Sequence, residues 1–124
     1  MSSARIFFAL GSLLAGLAVG LGAFGAHGLR GILDAADLET FEVGVRYQMY
    51  HALALLAVSW AMTRWESPAL VASGWLFVVG IAIFSGSLYL LVLTGPRWLG
   101  AVTPVGGVAF LVGWALLAWG AFRG

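Results

Sequence analysis

The chain has 124 residues, of which 62% are hydrophobic and 9% are charged, and its mean hydropathy is +1.03. Soluble domains usually carry about a quarter of charged residues, so this composition excludes an ordinary soluble domain and places the excess apolar surface against lipid or protein partners. The net charge is +1 with six scattered basic residues, which excludes a nucleic-acid-binding surface, and the lack of cysteine excludes disulfides and thiolate metal sites.

Four apolar segments follow one another along the chain, separated by short polar breaks. They cover residues 6–26, 47–63, 69–93 and 98–122. A membrane-spanning helix needs about 20 apolar residues, so each segment is long enough to cross a bilayer, the second only just. The first run is longer than the apolar region of a cleavable signal peptide, which favours a retained helix. We therefore predict an all-α fold: an integral membrane bundle of four transmembrane helices in one domain, residues 1–124.

The second helix is predicted to begin ahead of its apolar segment. Asp34 or Asp37 provides an N-cap, and apolar residues then recur at helical spacing on one side of the stretch. We expect one helix over about residues 37–63 whose N-terminal part is amphipathic. The alternative is a solvated linker turn between the first two spans.

Four spans put both termini on the same side of the membrane. Each side then carries three arginines, so the positive-inside rule gives no orientation. We expect both termini in the cytoplasm and the chain in a bacterial inner (plasma) membrane. Aromatic residues near the ends of the apolar segments are predicted to lie at the membrane interfaces: Tyr47, Tyr50, Trp65 and Trp98.

Small residues are predicted to bring the helices close together, because lipid supplies no hydrophobic force between helices. Gly16 and Gly20 form a GxxxG pair in the first helix, and Gly86 lies in the third. Gly106 and Gly113 are seven residues apart in the fourth, so they share nearly one face. Packing within the chain explains these glycines. The alternatives are the seam of a homo-oligomer and contact with another membrane protein.

Polar side chains within the apolar segments are predicted to gather in one half of the membrane. The prediction follows because successive helices alternate in direction. The members of this group are His27, Gln48, His51, Ser85, Ser87, Tyr89 and Thr103. The connection between the first two helices is short, so we expect His27, Gln48 and His51 to form one polar neighbourhood with the serines or the tyrosine. Ionisable residues inside a membrane are functional candidates.

Each of these residues also has a structural interpretation. His27 would bond to carbonyls at the helix end, and Gln48 and His51 would link helices. Pro104 has no backbone N–H, which leaves one helix carbonyl without a donor, and the Thr103 hydroxyl would donate to that carbonyl. The functional alternatives are a solute or proton pathway, and a haem or metal site using His27 and His51. No acid lies inside a span and no metal or catalytic motif is present, so we predict no enzyme activity, no catalytic residue, no metal and no cofactor.

Four motifs in order resemble a known family: GAFGAHGL at 22–29, YQMYHALALL at 47–56, FSGSLYLLVLTG at 84–95 and TPVGG at 103–107. The resemblance is to domain of unknown function 423, the YgdD-like small bacterial inner-membrane proteins, with a small mitochondrial transmembrane relative in animals. It runs from about residue 10 to residue 120. It implies a four-helix integral membrane protein and assigns no activity. The matching positions are Gly25, His27, Gly28, Tyr47, Gln48, His51, Ser85, Gly86, Ser87, Tyr89, Thr103, Pro104, Gly106 and Gly107.

The sequence therefore predicts a small, non-enzymatic integral membrane protein whose partner is the lipid bilayer. Small residues at helix-packing spacings are abundant, and no catalytic motif is present. An accessory or scaffold subunit, or a lipid-facing interaction module, fits this pattern best.

Overall fold

The computed structural model describes residues 1–123, and these residues are all-helical. The middle of the chain contains one π-helical stretch that joins two α-helices into a single rod, so the described residues form four rods. The elements in chain order are α1 (Ser3–His27), α2 (Ala35–Arg64), α3 (Pro68–Gly80), the π-helical stretch (Ile81–Ser85), α4 (Gly86–Thr94) and α5 (Leu99–Arg123).

Three of these rods are long and apolar enough to cross a membrane, as judged over residues 1–123: Ser3–His27, Pro68–Thr94 and Leu99–Arg123. The second rod, α2, does not meet this criterion, although four such spans were predicted. The reason is its position, since α2 contacts every other rod of the bundle. Ten residues of α2 are buried, against four in α1, so α2 tolerates polar side chains because they face protein.

The predicted start of α2 as a capped, amphipathic helix is confirmed. The Asp34 carboxylate accepts a hydrogen bond from the Asp37 backbone N–H at 2.8 Å, and the helix begins at Ala35. Phe41 is 1% exposed and packs in a small cluster with Leu29 and Val92. The alternative of a solvated linker turn is therefore wrong, because this stretch has a buried face.

The first two helices pack against each other closely along their length. A Cβ built on Gly11 would lie 2.7 Å from the backbone oxygen of Ala52, so only glycine fits at this crossing. About two turns nearer the start of α1, the Ser59 hydroxyl donates to the Ala4 carbonyl at 2.6 Å. The close contact of backbones and the interhelical hydrogen bond are the devices expected of helices in lipid.

Glycines of α5 face large residues of the adjoining rod, where Gly113 and Gly120 receive side chains and Gly106 meets backbone atoms. Both sets of residues repeat every seventh position, so the contact continues along the whole interface. The pairs are Gly106 with Phe84, Gly113 with Phe77, and Gly120 with Leu70. The structure thus places two of the predicted packing glycines, Gly106 and Gly113, in the interface between α5 and the α3–α4 rod.

The other three predicted packing glycines do not pack within the chain. A Cβ built on Gly16, Gly20 or Gly86 meets no atom within 4 Å. Gly16 and Gly20 lie on the exposed face of α1, and Gly11 makes the close contact instead. The GxxxG spacing places two glycines on the same face of a helix, but it does not determine whether that face turns towards the other helices or towards the outside of the bundle.

The π-helical stretch Ile81–Ser85 was not predicted from the sequence. A π turn contains more residues than an α turn, so it changes the direction of the side chains that follow. In this stretch the Ser85 hydroxyl donates to the Gly44 carbonyl of α2 at 2.6 Å, while the backbone of Phe84 lies against Gly106 of α5. The stretch therefore lets one rod contact two different neighbours at the same level.

Candidate functional site

Gln48 links three helices at the centre of the bundle. Its side chain is 2% exposed, and its Nε2 donates to the Leu14 carbonyl of α1 at 2.9 Å. Its Oε1 accepts from the Tyr89 hydroxyl of α4 at 2.7 Å. A backbone carbonyl can only accept, so the orientation of the amide is fixed. Both ends of Gln48 are engaged, and α2 is joined to α1 and α4.

His51 joins α2 to α5. Its side chain is 4% exposed, and its Nε2 accepts a hydrogen bond from the Trp114 indole at 3.0 Å. Its Nδ1 lies 2.8 Å from the Tyr47 carbonyl. An indole N–H can only donate and a carbonyl can only accept, so this geometry requires a neutral imidazole with its proton on Nδ1. Because both nitrogens are engaged, neither has a lone pair free for a haem iron or a metal ion in this arrangement.

Aromatic rings surround the His51 imidazole. The Phe110 ring stacks on it, with centroids 3.5 Å apart and planes within 7°. Phe77 and Trp114 lie at tilted angles with centroids 5.4 Å and 5.8 Å away, and Tyr47 lies at 6.3 Å. These rings hold the imidazole in one orientation and keep water away from its hydrogen bonds.

Gln48 and His51 lie at mid-height of the bundle and not near one end. Leu14, the partner of Gln48, is eleven residues after Ser3 and thirteen before His27 in α1. Phe110, which stacks on His51, is eleven residues after Leu99 and thirteen before Arg123 in α5. The predicted position in one half of the membrane is therefore corrected. The residues of α2 that precede the apolar segment 47–63 also pack beside α1 and α4. Residue 47 therefore lies near the middle of the bundle and not at one end.

Ser85, Ser87 and Thr103 link helices in the half of the bundle that contains the loop after α4. The Ser87 and Thr103 hydroxyls are hydrogen-bonded to each other, which joins α4 to α5. Each hydroxyl is also close to a carbonyl of its own rod, with Ser87 Oγ 2.9 Å from the Phe84 oxygen and Thr103 Oγ1 3.3 Å from the Leu99 oxygen. Because each hydroxyl has one proton, the pair makes one bond between its members and one bond to a carbonyl at a time. The carbonyl that Pro104 leaves without an N–H donor is that of Gly100, four residues earlier, whereas the Thr103 hydroxyl faces the Leu99 carbonyl, so the predicted role of Thr103 is not seen.

His27 does not join the other members of the predicted group. It is the last residue of α1, its side chain is exposed, and within residues 1–123 it makes no side-chain hydrogen bond. Thirteen helical residues separate it from the level of Leu14, a distance of about 20 Å at 1.5 Å per residue. The expected neighbourhood of His27 with Gln48 and His51 is corrected accordingly. The predicted bond from His27 to terminal carbonyls is also not seen.

Sequence analysis missed several partners of the polar side chains. Ser59 donates to Ala4, and Ser73 donates to the Gly113 carbonyl at 2.8 Å, so polar links also occur in the opposite half of the bundle. Trp114, the donor to His51, carried a signal: it lies in the middle of an apolar helix, whereas tryptophan in membrane proteins prefers the ends. The backbone carbonyls that accept these bonds have no signature in a sequence.

The polar side chains of this arrangement are engaged with one another and with backbone carbonyls. No buried side-chain nitrogen or oxygen atom in the described part of the chain lacks a hydrogen-bond partner. The same residues contain no group of three or more histidine, aspartate or glutamate side chains that could hold a metal ion. The Gln48 and His51 networks each end at backbone carbonyls, so these hydrogen bonds fix helices against one another.

Apolar helices on the outside and hydrogen-bonded polar residues on the inside define a small helical membrane protein. The chain belongs to the family described as protein of unknown function (DUF423), whose model matches residues 21–107.

Curated relatives cover nearly the whole chain. It is 50% identical over 119 residues to a UPF0382 membrane protein of Staphylococcus saprophyticus, which covers 96% of this chain and 98% of the relative. It is 46% identical over 114 residues to the UPF0382 membrane protein YwdK of Bacillus subtilis, covering 91% and 93%. No solved structure matches the chain significantly. These relatives are named only as membrane proteins, so they establish the class and assign no activity.

Proposed function

We propose that this chain is a four-span membrane protein without a reaction centre that acts by contact, as an accessory or scaffold subunit or a lipid-facing interaction module. The observation that carries the proposal is that the buried polar side chains of residues 1–123 are all engaged in hydrogen bonds within the bundle. A transport route or a catalytic site needs polar groups that are free to meet a substrate. Polar groups already engaged with helices support a structural role.

The proposal includes α2 as the fourth span. Gln48 and His51 lie beside the middle residues of α1 and α5, so the centre of α2 is level with the centres of two candidate spans. The outward face of α2 is apolar beyond its first turns, with Leu53 51% and Trp60 59% exposed. The side chain of exposed Arg46 extends towards the N-terminal end of α2, the direction in which helical side chains point, so its charge is directed away from the centre of the bundle.

Cysteine labelling tests the number of spans and the orientation. The natural chain has no cysteine, so Ser2→Cys, Arg123→Cys and Asp34→Cys can each be made as the single thiol. We expect the Ser2→Cys and Arg123→Cys thiols to resist a membrane-impermeant maleimide in intact cells and to react after permeabilisation. The thiol at position 34 reacts in intact cells, because it lies across the membrane from the termini. Opposite labelling of the two termini would rule out four spans, and exact reversal of all three results would reverse the orientation.

The outward face of α1 is a suitable contact surface for a second copy or another membrane protein. Gly16 and Gly20 are exposed there beside Leu13 and Leu17, which are 71% and 54% exposed. Outward glycines four residues apart let two helices approach closely, and close packing is the main attraction between helices in lipid.

Native mass spectrometry after extraction in mild detergent tests the contact role. We expect species heavier than the 13.0-kDa chain. Gly16→Leu blocks close approach on α1 and is expected to weaken the assembly about tenfold, which corresponds to about 1.4 kcal/mol. Gly86→Leu is the matched control, since a Cβ built there also meets no atom of the protein within 4 Å. A 13.0-kDa monomer in every mild detergent would contradict the scaffold proposal.

A further inference from the structure

A cavity of about 600 Å³ lies between α2, α5 and the π-helical stretch, at a level where α2 and α5 touch each other little. This volume is within the range of small-molecule sites, about 300–1,000 Å³. Val108 and Leu111, at 58% and 71% exposed, lie at its edge, so the cavity opens on the outer surface of the bundle. A molecule would enter it from the side.

The inner wall of the cavity is the His51–Trp114 pair with Phe110 stacked on it. Phe110 is at the middle of α5, so the cavity lies at mid-height of the candidate spans. In a four-span protein this entrance faces the hydrocarbon of the bilayer. A ligand must therefore be dissolved in the membrane.

Aromatic residues make up much of the cavity wall. Tyr47, Phe84 and Trp114 are among them, and on α5 the smaller Pro104 and Gly107 leave space between the longer side chains. A Cβ built on Gly107 would meet only the Phe84 ring, at 3.9 Å, so the space in front of this glycine is open. Flat aromatic and glycine surfaces suit a planar ring better than a flexible chain, since offset stacking needs planar partners.

Two side chains that carry a hydroxyl, Tyr47 and Tyr50, line this largely apolar cavity. The protein bonds around it use the Tyr47 carbonyl and the Trp114 indole, and within the described chain the Tyr47 and Tyr50 hydroxyls have no partner. The two side chains are 37% and 50% exposed, at the level of the bundle centre and not at its ends as predicted for interfacial residues. A hydroxyl surrounded by hydrocarbon is unfavourable unless it is bonded, so these groups match a ligand that carries an acceptor oxygen.

We propose that this cavity binds a membrane-dissolved molecule with a planar fused ring and a ring carbonyl, the chemical class of the naphthoquinones. The ring would stack on the aromatic walls in front of Gly107, and a carbonyl oxygen would accept from Tyr50 or Tyr47. A saturated acyl chain has neither the flat face nor an oxygen at this depth. The proposal concerns binding, and it depends on the proposed function only through the position of α2 in the membrane.

The test uses the full chain in nanodiscs of saturated phosphatidylcholine and 2-methyl-1,4-naphthoquinone as the probe. The chain has no cysteine that the quinone could modify. Equilibrium dialysis, corrected with empty nanodiscs, is expected to show one saturable site for each chain. Gly107→Leu fills the cavity and should weaken binding at least about tenfold, whereas Gly86→Leu should leave it unchanged. Tyr50→Phe keeps the ring and removes the hydroxyl, which should weaken binding about fivefold, the loss of one hydrogen bond.

A second ligand tests whether binding depends on the acceptor oxygen or on the fused ring alone. 2-Methylnaphthalene has the same fused ring without oxygens, so it should bind much more weakly than the quinone. Equal binding of the two ligands, or equal quinone binding by the natural chain and Gly107→Leu, would overturn the proposal. Displacement of the quinone by a saturated fatty acid at equal concentration would also overturn it, by assigning the cavity to acyl chains. Cysteine labelling and native mass spectrometry test the four-span contact role without any ligand. A failure of quinone binding therefore does not count against that role.

Discussion

Replacing Gly106 with leucine is expected to lower the free energy of unfolding by about 3 kcal/mol, at the upper end of the usual cost of overpacking. A Cβ built on Gly106 would lie 2.8 Å from the Cα atom of Phe84, and a backbone atom cannot move aside as the end of a side chain can. The α5 helix must therefore separate from the α3–α4 rod. Reversible unfolding in mixed lipid–detergent micelles with increasing dodecyl sulfate, followed by far-ultraviolet circular dichroism, measures this loss.

Gly107→Leu is the matched control for this measurement. It makes the same chemical change one residue later, where a Cβ meets only a ring atom at 3.9 Å. Its stability is expected to stay within about 0.5 kcal/mol of the natural chain, as for surface substitutions. Equal destabilisation by the two variants would show that leucine disturbs α5 itself, and the glycine interface would lose its support.

We expect His51→Ala to cost about 2–4 kcal/mol of stability, because it leaves both a cavity beneath a stacked ring and an unpaired donor. The Phe110 ring loses its stacking partner, and the Trp114 indole loses its acceptor. The same micelle assay reports the loss. The fluorescence of Trp114 is expected to change with it, since the indole is released from a fixed contact.

Two further variants identify the source of this effect. Leu53→Ala truncates a residue two positions away that faces outward, with 51% exposure, and should change stability by less than about 0.5 kcal/mol. Trp114→Phe removes the donor and is expected to cost about 1 kcal/mol in the natural chain, near the upper range for such bonds in membranes. In the His51→Ala background it should cost less, because its acceptor is already gone. Strictly additive costs would show that the hydrogen bond contributes nothing.

Helix number and most helix boundaries were predictable because they depend on local properties. The apolar segments 69–93 and 98–122 correspond to rods Pro68–Thr94 and Leu99–Arg123, within one residue at each end. The start of α2 depended on a cap, and a cap is formed by residues within one turn of each other. The membrane class followed from composition alone, since so much apolar surface has no place in a soluble fold of this length.

Part of the candidate site was also predictable. The sequence placed Gln48, Tyr89, Ser87 and Thr103 in one larger group, and within that group Gln48 is hydrogen-bonded to Tyr89 and Ser87 to Thr103. Alternating helix direction brings such residues to similar levels whatever the detailed packing. The grouping of His27 with them was not correct, because a residue at a helix end is far along the axis from one at the centre.

The sequence by itself determined that this protein is a bundle of apolar helices with polar residues among them. The tertiary structure decided how those helices rotate and slide against one another. Rotation turned Gly11 inward and Gly16 outward on α1, and sliding brought the middle of α2, with His51, to the middle of α5. The periodicity of the sequence determines neither the rotation of a helix about its axis nor its shift along that axis. A repeat shows which residues share a face, but not which neighbour that face meets or at what height. Both follow from contacts between distant residues, above all the fit of side chains to glycines and of polar groups to backbone carbonyls on other helices.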